Sequence, residues 1–183
     1  MKIAAIQMIS GPALAPNLAT AGGLIDQAVA GGASLVALPE YFPLIGASDT
    51  ERLGMRETDG IGPIQQFLAT KAKQHGIWVV GGSLPLLAND AVKLRNTCMV
   101  YSPNGERVAR YDKMHLFGFN KGDESYDEAR TIEPGEAVVS FELKTSDTVW
   151  RVGVAICYDL RFPELFRAMG PIGSLRSPLV WRT

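Results

Sequence analysis

Cysteine and histidine are scarce in this 183-residue chain, with two of each. Cys98 and Cys157 make no disulfide framework, and a chain of this length, which buries roughly 70% of its unfolded surface, does not need one. Two scattered cysteines and two histidines also lack the spacing of a metal site, so none is expected. Charge of either sign is not in excess, with 18 Lys and Arg against 19 Asp and Glu. Without a basic cluster interleaved with aromatics, nucleic acid is not the expected partner. No apolar run approaches the ~20 residues that cross a bilayer, and "MKIAAIQMIS" lacks the charged-then-apolar pattern of a leader. The expectation is a cytoplasmic protein with no membrane partner, two reduced thiols and small-molecule chemistry.

What is present is a 46% hydrophobic composition that suits one α/β domain. The apolar run "KIAAIQM" is followed by "NLATAGGLIDQAVAGGA", with Leu18, Ala21, Leu24, Ile25 and Ala28 at helical spacing behind an Asn17 cap. "SLVALPE" then reads as a second buried strand, which implies parallel neighbours joined by a crossover helix. The scheme repeats: Pro63 opens a helix carrying Ile64, Phe67 and Leu68, Gly76 closes it, and "IWVVGGS" follows as a strand. The glycine pair there lacks the other residues of a phosphate loop and reads as packing. Antiparallel strands come next, since "KLRNTCMVYS" and "RVARYDK" flank "PNGE", an Asn-Gly hairpin signal. Met114 to Pro134 shows no clear period and reads as a long functional or disordered loop. "AVVSFEL" and "WRVGVAI" are two further strands around the turn "KTSDT".

Three reactive side chains lie just past strand ends: Glu40 after "LVAL", Lys113 after "RVARYD" and Cys157 after "VGVAI". Sites in layered α/β folds assemble at such ends. A thiol needs a base, and a carboxylate whose proton affinity burial has raised can serve, which makes Glu40 the candidate. Attack on a carbonyl or nitrile carbon develops negative charge on the substrate heteroatom. Lys113 and the backbone N–H of Tyr158, at a strand-to-helix turn ahead of Pro163, are placed to stabilise it. A cysteine on such a turn, near unpaired amides, favours a reactive thiolate. Each residue also has a plainer reading: Cys157 as a small buried hydrophobe, Glu40 and Lys113 as solvated loop residues. Cys98, inside "TCMVY", reads as core and His75 as a helix-end residue. His115, close to Lys113, leaves a Cys–His pairing open.

"LPEYF" around Glu40, "YDKMHLF" around Lys113 and "AICYDLRFPELFR" around Cys157 occur together and in this order. As a set they resemble the nitrilase superfamily, the carbon–nitrogen hydrolases, from Met1 to about Ile172. The resemblance implies an α–β–β–α sandwich, a Glu–Lys–Cys triad and no metal or organic cofactor. By the same resemblance Glu40 is the general base, Lys113 the oxyanion stabiliser and Cys157 the nucleophile that forms a thioester and releases ammonia. Glu128, in "EARTIEPG", matches a second family glutamate that orients the lysine and the substrate amide. "HLFGFNKGDESYDEARTIEPG" is most similar to the amidase branch acting on ω-amides of dicarboxylates or on deaminated glutathione. Family members commonly form homodimers through the helix after the nucleophile, here "RFPELFRAM", although packing within one chain explains Phe162, Leu165 and Phe166 equally well.

After residue 172 the family continues with an apolar strand and roughly another third of the fold, whereas "GSLRSPLVWRT" carries little strand pattern. The expected division is therefore a partial hydrolase domain over 1–172, incomplete at the C-terminus, and an atypical, out-of-frame or truncated tail over 173–183. Uncovered sheet edges would then favour aggregation. Three functional readings stand at this point: a thiol amidohydrolase, or a nitrile or carbamoyl hydrolase of the same superfamily; an inert fragment that keeps the triad; and a different cysteine hydrolase with His115 as base.

Overall fold

The computed structural model describes residues 1–46, 48–145, 148–170 and 179–181. Its first sheet begins with three parallel strands, β1 (Ile3–Ala5), β2 (Leu35–Ala37) and β3 (Trp78–Val80). The crossovers between them carry α1 (Leu14–Ala30), the short α2 (Asp49–Gly54) and α3 (Pro63–His75). The helices form where the spacing places them: Ala21 and Ile25 of α1, and Ile64, Leu68 and Ala72 of α3, pack onto Val36, Leu38, Val79 and Met99. Pro63 occupies the first turn of α3, and Gly76 ends the helix in the left-handed region at φ 62°.

Antiparallel strands complete this sheet. β4 (Leu84–Leu87) and β3 both pair with β5 (Leu94–Tyr101), which also meets β6 (Arg107–Asp112) across the Asn104-Gly105 turn. β4 is not apparent from the sequence, because its "LPLL" run follows the Gly81-Gly82 bend and carries a proline. That glycine pair does serve packing. A Cβ at Gly81 would lie 2.6 Å from Leu68 Cδ1, and one at Gly82, which sits at φ +54°, would overlap the Pro39 carbonyl.

Residues 114–134, expected as an irregular loop, instead form a hairpin of β7 (Gly118–Lys121) and β8 (Glu124–Asp127) and a 3-10 turn over Glu128–Arg130. Seven of the eight strand residues are exposed, so no inside–outside alternation marks them in the sequence. Asn17 is also not the cap of α1. It lies within the helix, where its side chain donates to the carbonyls of Gly11 and Pro43 at 2.8 Å each and accepts from Gly11 N at 2.9 Å.

The second sheet pairs β9 (Ser140–Lys144) with β10 (Val149–Ile156) antiparallel, and β10 with β11 (Leu179–Trp181) parallel. Its Phe141, Leu143, Val152, Val154 and Ile156 face Leu35, Ala37, Trp78, Val80 and Tyr111 of the first sheet, forming a second core. The alternate residue Gly153 turns outward to α4 (Pro163–Ala168): a Cβ there would overlap Met169 Sδ. The layer order is therefore α–β–β–α, as expected. Ser146 and Asp147 of the expected "KTSDT" turn, and the tail over 173–183 apart from the β11 backbone, lie outside the described residues. That β11 is a strand differs from the expectation of little strand pattern in the tail.

Gly82→Ala is expected to lower the unfolding free energy by about 2 kcal/mol or more, through the left-handed backbone and the overlap with Pro39. Denaturant titration of both proteins checks this, and equal midpoints would refute the packing role.

Candidate active site

Each strand end presents its reactive residue through a specific local device. Past β2, Leu38 N still pairs with Val80 O at 3.0 Å, and Tyr41, at φ 50°, turns the chain while its N–H donates to Ser83 Oγ. The intervening Glu40 is directed into the crevice between the sheets, beside Leu38, Gly82, Cys98, Val154 and Ile156. Past β6, Lys113 is held by its N–H to Asn96 O and by its carbonyl to Gly135 N, both at 2.9 Å. Past β10, Cys157 adopts φ 48° and opens a 3-10 turn over Cys157–Arg161. Cys157 and Tyr41 are the only non-glycine residues at positive φ among the described residues. Such a conformation costs on the order of 1–3 kcal/mol, and both instances adjoin the reactive groups.

The structure brings together all five residues singled out in the sequence except the Tyr158 side chain, which stacks edge-on against Phe117 and Phe162. Lys113 Nζ lies 3.3 Å from Glu40 Oε1 and 2.9 and 2.8 Å from the two oxygens of Glu128. Lys113, Glu40 and Glu128 are buried, at 1%, 9% and 7% exposure. Burial opposes the Lys113 charge, but Glu40 and Glu128 outweigh it and hold the ammonium above the usual lysine value. Glu128 is itself fixed by accepting from Phe117 N at 2.7 Å. The Tyr158 N–H lies in the first turn of the 3-10 segment, where no intrahelical carbonyl can reach it.

Cys157 is half-buried, and its thiol is pushed up to about 11, first by burial and then by the charge of Glu40, against the lowering effect of Lys113. Burial and the Glu40 charge therefore keep the proton on sulfur near neutral pH, so the reactive thiolate expected from the turn needs a base to form. Cys98 is buried core, as expected, with its thiol pushed up to about 12 by burial.

Two polar residues of the site carry no signal that the sequence made plain. Asn96 of β5 is fully buried, and its Nδ2 donates to Glu40 Oε1 at 2.8 Å. Asp159, also fully buried, accepts from Ile156 N at 2.9 Å and Tyr111 Oη at 2.6 Å on Oδ2, and from His115 N at 3.0 Å on Oδ1. His115 Nδ1 is 2.7 Å from the same Oδ1, and its ring stacks on Phe162 with centroids 3.7 Å apart. His115 is thus engaged by Asp159, while the charge of Glu40 is among the causes that raise the Cys157 thiol. Asn96 lies between Arg95 and Thr97, so it does not stand out in its strand. Among the described residues no group of three His, Cys, Asp or Glu is placed to hold a metal ion, and no helix is long and apolar enough to cross a membrane.

The model of the carbon–nitrogen hydrolase family matches residues 2–174. The chain belongs to the carbon–nitrogen hydrolase family. A deaminated glutathione amidase from Synechocystis sp. (strain PCC 6803 / GT-S) is 40% identical over 173 residues, which are 93% of this chain and 62% of that protein. An omega-amidase from Pongo abelii is 36% identical over 165 residues, 90% of this chain and 57% of the relative. Among solved structures, a Saccharomyces cerevisiae member of branch 10 of the nitrilase superfamily superposes with a TM-score of 0.79 at 30% identity, covering 92% of this chain and 59% of that one. The chain thus spans about three fifths of the length of the curated relatives it matches. In this family member the two thiols differ in access as well as in burial.

Iodoacetamide is expected to modify Cys157 in the folded protein and Cys98 only after denaturation, as peptide mass spectrometry can establish. The Cys157 rate should still be climbing beyond about pH 9, because a thiol whose proton leaves only near 11 gains thiolate tenfold per unit below that value. A plateau at neutral pH would instead establish a resting thiolate.

Proposed function

We propose that this carbon–nitrogen hydrolase is a thiol amidohydrolase that cleaves the C–N bond of a small linear amide through a thioester on Cys157. The observation that carries the reading is the Lys113 ammonium shared by Glu40 and Glu128 beside a cysteine on a strained turn. In the proposed reaction Glu40 takes the thiol proton as Sγ attacks the carbonyl carbon. The carbonyl π electrons pass to the oxygen, where Lys113 and the Tyr158 N–H meet the new charge. Collapse breaks the C–N bond, with Glu40 returning the proton to nitrogen so that ammonia leaves. Water, deprotonated by Glu40, then attacks the thioester carbon, and the acid departs as Cys157 regains its proton. Glu128 orients Lys113 throughout.

The names of the two relatives point to the substrate class, an ω-amide of a dicarboxylate or deaminated glutathione. Nitrile and carbamoyl substrates are the alternatives within the same chemistry. A cytoplasmic location accords with this reading, since the nucleophile must remain a reduced thiol. So does the homodimer that the family resemblance implies.

Ammonia release from a panel of dicarboxylate monoamides and simple nitriles tests the proposal. The chain should release ammonia, and Cys157→Ala and Glu40→Gln should each lower kcat by at least about 10³-fold, since each removes a group that the bond-making step requires. Turnover retained in either variant removes that residue from the mechanism. No release from a folded parent chain would favour the inert fragment.

A further inference from the structure

Asn96 occupies the middle of β5 with no exposed surface, yet its two polar ends have unlike fates. Its side-chain Nδ2 donates to Glu40 Oε1 at 2.8 Å, whereas its Oδ1 is buried without a hydrogen-bond partner. A buried orphan acceptor is costly, on the order of 1–3 kcal/mol, so the residue is not explained by stability. Its main chain contributes as well, since Asn96 O accepts the N–H of Lys113 at 2.9 Å. One residue therefore fixes both the Glu40 carboxylate and the start of the lysine segment.

We infer that Asn96 is a positioning residue for Glu40, anchoring Oε1 so that the other carboxylate oxygen is held against the Cys157 thiol. Asn96 Nδ2 and Lys113 Nζ both donate to that same Oε1. A carboxylate tethered by Lys113 alone could rotate about its terminal torsion, which is broad and roughly two-fold. With the amide in place, an ionised oxygen receives a charge-assisted bond of fixed direction. The inference rests on Glu40 being the base of the proposed reaction.

The test is the rate of Cys157 alkylation by iodoacetamide at about pH 9, well below the thiol's midpoint, where a fall of one unit in that midpoint speeds the reaction about tenfold. Cys98, buried in the core, reports unfolding in the same sample. Glu40→Gln removes the charge that raises the thiol and is expected to speed alkylation by more than tenfold. Asn96→Leu lets the carboxylate leave the thiol and is expected to speed it about tenfold without labelling Cys98. The same substitution in the Glu40→Gln background should change nothing further. An Asn96→Leu rate that stays level or falls, or that rises equally in both backgrounds, overturns the inference and leaves Glu40 as base. A Glu40→Gln rate equal to the parent's overturns the reading of Glu40 itself, and the inference with it. Should Cys98 label in Asn96→Leu, Asn96→Ser, whose hydroxyl is too short to reach Glu40, is read by the same criteria.

Discussion

A lysine ammonium with almost no exposed surface must find anionic partners or lose its charge, and most of this structure can be understood from how Lys113 finds them. Burying such an ion costs several kcal/mol, so its partners have to be close and correctly aimed. Glu40 comes from the end of β2, Glu128 from the turn after the β7–β8 hairpin, and Lys113 itself from the end of β6. Satisfying one cation thus fixes three separate chain segments against one another. Loss of either carboxylate would strip the lysine of one of the two charges that keep it ionised, so folding and chemistry draw on the same contact. The hairpin over residues 118–127, exposed along nearly its whole length, is anchored at its root by the mutual bonds between Phe117 and Glu128.

The turn that carries Cys157 is held by a different buried anion. Asp159 gathers donors from Tyr111, Ile156 and His115, which belong to β6, β10 and the loop after Lys113. The Ile156 N–H it binds immediately precedes Cys157, the residue at φ 48°, so the carboxylate closes the turn on which the cysteine sits. It also ties the Cys157 turn to the lysine's loop, because His115 is two residues from Lys113. His115 is drawn into this scaffold, with its ring on Phe162, and that support accounts for a histidine so close to the lysine in the chain.

The strand ends that carry Glu40, Lys113 and Cys157 were legible in the sequence, because a buried strand reads as an apolar run and a reactive residue just beyond it stands out. The faces of α1 and α3 were legible for the same reason of period. Asn96 and Asp159 were not, since one sits inside a strand and the other inside a motif whose neighbours already had roles. Their importance lies in partners 56 and 44 residues away, which no local pattern encodes. The β7–β8 hairpin was hidden by its exposure. Asn17 looked like a cap because asparagine favours that position, but two carbonyls from other loops drew its side chain inward.

The protonation state of Cys157 follows from the same lysine cluster. An isolated ammonium beside a thiol would promote thiolate at rest, as the turn geometry alone suggests. Here burial first, and then the charge of Glu40 with a smaller part from Glu128, outweigh the ammonium and keep the proton on sulfur. In the proposed reaction the site starts from a neutral thiol with the Glu40 carboxylate nearby, and charge separates only when a carbonyl is present to receive electrons. By the same proposal Lys113, paired with its carboxylates in the resting site, then faces an oxyanion with which Glu40, having taken the thiol proton, no longer competes for it. In that proposed mechanism the arrangement couples the proton transfer to the release of the lysine's charge, so that stabilisation is greatest at the tetrahedral stage and not in the resting protein.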